Sequence, residues 1–550
     1  MGVAVKSELS WVENGIISQD QYEKAMEIQR ENPSKKFADI LLDLGFISKK
    51  DYLEYVSKQI GIKYVDDLDQ KVRLKDIKIP ANILKQTMSV PVEVKFDKAV
   101  VAMADPLDWN AQALIKRFFN NKKLEIVLGF KDDIRKILKK IEDRDQIKEI
   151  LSDIKKELQG QEIKGDESAI MRLIRYIITK AIERKASDIH IEAEEKYAEV
   201  RIRIFGTLYE FLDFEEDIFY ALSSRLKLLA NLDVSEKRKP QDGSFSMQIE
   251  NNKFDFRVST LPTIWGESIV IRILDKRSIL KSVDEIGISD KNLILLKKAL
   301  SQPNGIFLVT GPTGSGKSTT LYASLNEVNG TDKKIITVED PVEYKLQGIQ
   351  QVQVNPKLGV TFANALRSIL RQDPDIIMIG EIRDLETLEI AVKAAMTGHL
   401  VFSTLHTNDA LSAVNRMLDM GADSFLVATA LIGIMAQRLV KTICPYCKTT
   451  YKPADVYLDP IRNLIPRDAV FHKGKGCEKC NMTGYGGRTI ISEVFLKDEM
   501  LESMISKKKE KLELLQYLRT KDYKVMFYDG LIKAIKGITT LEEVYRVAKL

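Results

Sequence analysis

Cysteine is scarce: the 550 residues hold only four, all within "ICPYCK" (443–448) and "GCEKCN" (476–481). No apolar run approaches the roughly 18 residues that a membrane span needs, and "MGVAVKSELSWVENG" carries no signal-peptide pattern. A cytoplasmic chain is expected, in which disulfides are rare and paired cysteines suggest metal or redox chemistry. A dominant charge is also lacking. The 84 basic and 79 acidic residues leave +5, too mild and too interleaved to suggest nucleic acid. The rest is globular in composition, 44% hydrophobic and 30% charged, and too long for one core.

Self-similarity and texture divide the chain. A shift of thirty positions brings Gly15 onto Gly45, Ile17 onto Ile47, Ser18 onto Ser48, Tyr22 onto Tyr52 and Gln29 onto Gln59. Residues 1–60 therefore read as a duplicated helical hairpin, each copy a short helix ended by Gly, then a Ser N-cap and an amphipathic helix. Residues 61–141 mix strand-like "VPVEVKF" and "AVVAMADP" with helical stretches, a small α/β unit. Residues 142–165 are dense in both charges and free of proline, a charged linker. Residues 166–283 open with a helix and continue in alternating strands, an α+β domain with an antiparallel sheet. From 284 to 550 helices alternate with the apolar strands "IFLVT", "KIITVE", "DIIMIGE" and "LVFSTL", the signature of a helix-covered parallel sheet.

The strongest chemical signal is "GPTGSGKS", residues Gly311, Pro312, Thr313, Gly314, Ser315, Gly316, Lys317 and Ser318, followed by Thr319. It fits the phosphate-loop pattern, in which backbone N–H groups curl around phosphates, Lys317 supplies a point charge and Ser318 ligates Mg²⁺. An apolar strand enters the loop and a helix leaves it, as that mechanism needs. Hydrolysis also needs carboxylates to orient water and hold the metal. "TVEDPVE" places Glu339, Asp340 and Glu343 after one strand, and "DIIMIGEIRD" places Glu381 after another, in the Walker B position.

With "TGHLVFSTLHTNDA", these stretches follow the order of the Walker A, Asp box, Walker B and His box of secretion ATPases. The chain resembles the type II secretion and type IV pilus assembly ATPases, the GspE/PilB branch. "ASDIHIE", "KPQDGSFS" and "FRVSTLPTIWGESIVIRIL" are similar to the family's second N-terminal domain, and "VAMADPLD" to its first. The resemblance implies a multidomain α/β protein: a RecA-like P-loop ATPase core, a preceding α+β (PAS-like) domain, an N-terminal helical plus small α/β domain, and a tetracysteine zinc module at about 441–485. It implies Glu343 as the water-activating acid, Glu381 in support of Mg²⁺, and Glu339 among the nucleotide-site acids. His399 and His406 would form the His box, one of them sensing nucleotide. Arg257 and Arg272, fifteen residues apart on two predicted strands, match arginine-finger segments. Arg238 is a weaker candidate, and His190 is read as structural.

Cys444, Cys447, Cys477 and Cys480 form two Cys-x-x-Cys knuckles able to close a tetrahedral Zn²⁺ site that leaves no open position for catalysis. Some relatives bind cyclic di-GMP through tandem motifs that begin with Arg, where this chain has Lys6 and Lys36. That departure disfavours the ligand without removing it. The reading is a hexameric, ATP- and Mg²⁺-dependent motor, cytoplasmic and docked peripherally at the inner membrane through a platform protein and cytoplasmic assembly proteins. It would drive pilin polymerisation, with the type II secretion motor as the alternative and a RecA-like nucleic-acid translocase further behind.

Overall fold

A computed structural model of the chain describes all residues except 1–7, 34, 74–76, 120–121, 162–166, 275–280, 467 and 550. The described chain divides into two compact units, residues 1–177 with 217–225, and residues 178–216 with 226–550. Among the described residues no helix is long and apolar enough to cross a membrane.

In the first unit the repeats are helical hairpins. Helices Ser10–Glu13 and Gln19–Glu31 form one copy, and Phe37–Asp43 and Lys49–Ile60 the other. Gly15 (φ 67°) and Gly45 (φ 69°) turn the chain in the left-handed region that glycine tolerates best. Ser18 then accepts the Gln21 N–H and Ser48 the Asp51 N–H, and the side chains of Gln21 and Asp51 return the bond, a capping box in each copy. Trp11, Ile17, Ile47 and Leu53 share their core. Lys36 occupies the N-cap of the third helix, and Lys6 lies outside the described residues. A three-stranded sheet follows, β1 (Ser89–Val94), β2 (Lys98–Met103) and β3 (Lys123–Leu128), with β1 antiparallel and β3 parallel to β2. The stretch read as a charged linker starts inside a 28-residue helix, Lys131–Leu158, whose Ile141, Ile150 and Ile154 are buried. Its charges line the other faces, so an amphipathic helix carries the composition of a linker.

The second unit holds two sheets. Strands β4 (Ala186–Ala193), β5 (Tyr197–Ile204), β6 (Thr207–Glu215), β7 (Gln241–Ile249), β8 (Asn252–Thr263) and β9 (Gly266–Leu274) form an antiparallel sheet in the order β6-β5-β4-β9-β8-β7. The other sheet contains β10 (Gly305–Thr310), β11 (Ile335–Glu339), β12 (Gln350–Gln353), β13 (Ile376–Ile379), β14 (Leu400–Leu405) and β15 (Leu431–Ile443). A hairpin of β16 (Lys448–Tyr451) and β17 (Phe471–Gly474) intervenes before β18 (Tyr485–Leu496) closes the large sheet's edge. The order is β12-β11-β13-β14-β10-β15-β18, parallel throughout except at β18. Every residue of β10, β11, β13 and β14 is buried, as expected for a parallel sheet covered on both faces. The carboxyl ends of its strands, where open α/β sheets bind ligands, carry the loops considered next.

Candidate functional site

The loop after β10 is shaped by close backbone approach. A side chain on Gly311 (φ 151°) would meet Ser315 Oγ at 2.4 Å and the Gln437 carbonyl at 2.7 Å, so glycine is required there. The loop ends at Gly316 (φ 89°), which opens helix Lys317–Val328. Lys317 Nζ donates to the carbonyls of Gly311 (2.9 Å) and Pro312 (3.1 Å), and burial lowers its pKa. The buried Ser315 Oγ has no hydrogen-bond partner among the described residues.

Around the loop a pocket of about 360 Å³ is lined by Thr313, Gly314, Gly316, Lys317, Ser318, Thr319, Glu339, Glu343, Glu381, His406 and Arg272. Most of the residues singled out from the sequence thus meet at one place. Glu381 pairs with Arg383 and lies 3.4 Å from His406 Nε2. Burial, followed by the nearby Lys317 charge, lowers the His406 pKa against the pull of Glu381, which favours a neutral ring. His399 is not brought to this pocket. It precedes β14 at the opposite end from His406, with its Nδ1 2.9 Å from the Ala394 carbonyl at the end of helix Leu385–Met396.

Arg257 and Arg272 sit directly opposite one another on β8 and β9. Like charges in that register repel, and each is offset by a carboxylate. Arg257 Nη1 lies 2.8 Å from Glu343 Oε2 while its Nη2 donates to the Val342 carbonyl at 2.8 Å. Arg272 Nε contacts Asp188 Oδ1 at 3.0 Å, and Asp188 is 7% exposed. Arg238 is largely exposed and pairs with Glu236. His190 faces Arg203 at 3.3 Å, away from the pocket-lining set.

Three contributors escaped the sequence reading. Gln437 supports the loop from β15, donating to the Ser315 carbonyl at 2.9 Å and accepting from Thr320 Oγ1 at 2.9 Å. Glu493 on β18 accepts the N–H of Ala410, at the start of the helix after the His box. Tyr322 reaches Glu339 and the amide of Glu343. The first two had a signal: each is a buried polar residue that, beside one polar neighbour, interrupts an otherwise apolar stretch of strand, "IMAQRLV" and "IISEVFL".

The four cysteines converge beyond the large sheet. Cys444 and Cys447 lie between β15 and β16, and Cys477 and Cys480 between β17 and β18. The Sγ···Sγ distances are 3.7 Å for Cys444 and Cys477, 3.9 Å for Cys447 and Cys480, and 3.7 Å for Cys477 and Cys480. A tetrahedron with Zn–S bonds of about 2.3 Å has edges of about 3.8 Å, so this donor set fits Zn²⁺. Burial opposes ionisation of Cys480, but N–H groups of Cys477 and Gly484 hold its pKa at about 7.

With this geometry, the sequence model described as type II/IV secretion system protein matches residues 163–546. The chain belongs to that family. It is an ATPase of the PilB/GspE-like kind, and the family's chemistry uses ATP and Mg²⁺. The MshEN domain model matches residues 60–147. The type II secretion system protein E of Dickeya dadantii is 49% identical over 384 residues, 70% of this chain and 76% of that protein. The type IV pilus assembly ATPase PilB of Myxococcus xanthus is 39% identical over 553 residues, 97% of each chain. The X-ray structure of the Yersinia pseudotuberculosis ATPase DotB shares the fold, with a TM-score of 0.52 and 21% identity over 68% of this chain and 92% of that one.

Proposed function

We propose that the protein is a hexameric motor ATPase that powers type IV pilus extension from the cytoplasmic face of the inner membrane, docked there by a platform protein and cytoplasmic assembly proteins. The carrying observation is the extent of likeness. The pilus assembly ATPase aligns along 97% of the chain, whereas the type II secretion relative aligns along 70% despite its higher identity. That higher identity keeps the type II secretion motor as the second reading. The mild net charge supports neither nucleic-acid translocation nor a nucleic-acid partner. Lys36 and Lys6 stand where guanine-stacking arginines would be, which makes cyclic di-GMP the less favoured reading for the N-terminal region, while the MshEN match over residues 60–147 keeps it in view.

In this reading Gly311 to Thr319 cradle the triphosphate and Lys317 turns from the loop carbonyls to the phosphates. Mg²⁺, held by Ser318 and through water by Glu381, would neutralise charge on the phosphate oxygens. Glu343 orients the attacking water and takes its proton. Arg257 and Arg272 would supply the cations that offset charge on the γ-phosphate. Arg257 must leave Glu343 to do so, which couples release of the acid to arrival of the nucleotide. Neutral His406 donates or accepts a hydrogen bond beside Glu381. Zn²⁺ held by the four thiolates would brace the module and take no part in hydrolysis. In a steady-state ATPase assay with and without DNA, the Glu343→Gln protein should be inactive yet bind ATP, and DNA should not stimulate the unmodified chain. An unmodified rate in Glu343→Gln refutes the site assignment.

A further inference from the structure

Tyr322 lies on the helix that begins at Lys317 and is 2% exposed. Its hydroxyl works in two directions. The O–H donates to Glu339 Oε2, and the oxygen accepts the backbone N–H of Glu343 at 3.3 Å. Glu339 is itself 4% exposed, and its other oxygen accepts from Thr337 Oγ1 (2.6 Å) and Gln351 Nε2 (3.1 Å). Gln351 in turn holds the same loop, donating to the Tyr344 carbonyl at 2.8 Å and accepting the Leu346 N–H at 2.7 Å. Both oxygens of Glu339 are therefore committed to protein donors, which leaves it poorly placed to bind a metal or a water. The segment 340–346, which carries Glu343, is pinned at residues 343, 344 and 346 to two side chains that converge on that one carboxylate.

We propose that Tyr322 is a positioning residue for hydrolysis: anchored by Glu339, its hydroxyl fixes the backbone at Glu343 and so aims that carboxylate at the attacking water. The inference deepens the proposed ATPase site and rests on the reading of Glu343 as its acid. Donation to a carboxylate polarises the hydroxyl oxygen and improves it as an acceptor for the amide. Burial, reinforced by the Glu339 charge, raises the Tyr322 pKa, so the proton stays on the tyrosine. Because Tyr322 sits five residues after Lys317, the segment that grips phosphate and the segment that carries the acid share one fixed point. Glu339, expected from the sequence to contact the nucleotide, becomes the anchor of this arrangement. The competing role for Tyr322 is packing, since its ring stands edge-on to Tyr344 at 6.4 Å. Phenylalanine preserves that packing and removes only the hydroxyl.

The test is steady-state ATP hydrolysis by the full chain carrying Tyr322→Phe, Glu339→Gln, both changes, or Glu343→Gln. Loss of the positioning bond should lower kcat about tenfold in Tyr322→Phe, with KM for ATP and affinity for fluorescently labelled ADP within about twofold of the unmodified chain. Glutamine at 339 cannot satisfy the donors of Thr337, Gln351 and Tyr322 together, so that variant should slow similarly with an unchanged Mg²⁺ requirement. If the two residues act through one chain of bonds, the double variant should be within about twofold of the slower single. An unchanged kcat in Tyr322→Phe beside an inactive Glu343→Gln overturns the inference. So does multiplication of the two losses, or a shifted Mg²⁺ requirement in Glu339→Gln. Full turnover by Glu343→Gln would instead sink the site reading itself. Should Tyr322→Phe fail to fold, the double variant, which removes the unpaired buried charge, carries the test, and an unmodified kcat there overturns the inference.

Discussion

Glu493 offers the sharpest test of how the site is held. It is 3% exposed on β18 and accepts two backbone bonds of 2.7 Å, Ala410 N–H on one oxygen and Met526 N–H on the other. Each donor is the first residue of a helix, Ala410–Asp419 and Met526–Ile535, so one carboxylate serves two helix N-termini. Glu493→Leu keeps the bulk and strands both donors, at about 1–3 kcal/mol each. Removing the buried charge offsets part of this, leaving a net loss of about 2–4 kcal/mol. Glu493→Gln keeps one acceptor and turns an NH₂ toward the other amide, a loss of about 1–3 kcal/mol. Several cores melt in one chain, so a single unfolding midpoint blurs the effect, and exchange of the amides at 410 and 526 reads it locally. A loss of about 2.8 kcal/mol means about 100-fold faster exchange through local opening.

The pH dependence carries an independent sign. Burial raises the Glu493 pKa, so the native state binds more protons than the unfolded chain between the ordinary glutamate value and the raised one. This group's contribution is fully present below that window and declines as pH rises through it, a slope that Glu493→Gln removes. Unmodified exchange at both helix starts in Glu493→Leu would refute the reasoning, because two buried donors would then have lost their acceptor without consequence.

Two further outcomes follow from pairs seen at the site. Arg257 and Glu343 are 27% and 30% exposed, so their ion pair contributes no more than about 1 kcal/mol to stability. Arg257→Ala should barely move the melting curve while lowering kcat by on the order of a hundredfold or more, and Arg257→Lys should not restore it, since one ammonium cannot replace a forked contact. Equal losses of stability and rate would make Arg257 merely structural. Zinc analysis should find one ion per chain, and Cys444→Ser or a chelator should speed exchange across about 441–485 while leaving labelled-ADP affinity unchanged. Lost affinity with a protected module would reverse the assignment.

The phosphate loop and the strands feeding it were legible because the chemistry is local. Loop glycines, a lysine and a hydroxyl lie within eight residues, with an apolar run of strand length before them and a helix after them. The N-caps at Ser18 and Ser48 were legible for the same reason, since a capping box closes within four residues. Register was not legible. Spacing put Arg257 and Arg272 on two strands, but their direct opposition depends on how β8 pairs with β9, and their carboxylate partners lie 86 and 84 residues away, at Glu343 and Asp188. His399 shows the converse. It shares a sequence box with His406, yet a parallel strand separates them, and the length of β14 sends the two imidazoles to opposite ends of the sheet.

The edge hairpin of β15 and β18 explains why the cysteines sit where they do. Gln437 braces the phosphate loop from β15 and pairs in register with Ser492, while Ile443, just before Cys444, pairs with Tyr485. At about 3.3 Å per residue, the seven steps from Gln437 to Cys444 place the thiolates about 23 Å from the loop's support. A metal there cannot touch the triphosphate. It would sit instead at the open end of the two strands, which otherwise close only through the long excursion from 444 to 484, at a cost in chain entropy. Pinning that end through a metal held by four thiolates would stiffen the hairpin that carries Gln437 and Glu493. Loss of zinc should therefore loosen the support of the loop and of the helix after the His box before it removes any group that grips nucleotide.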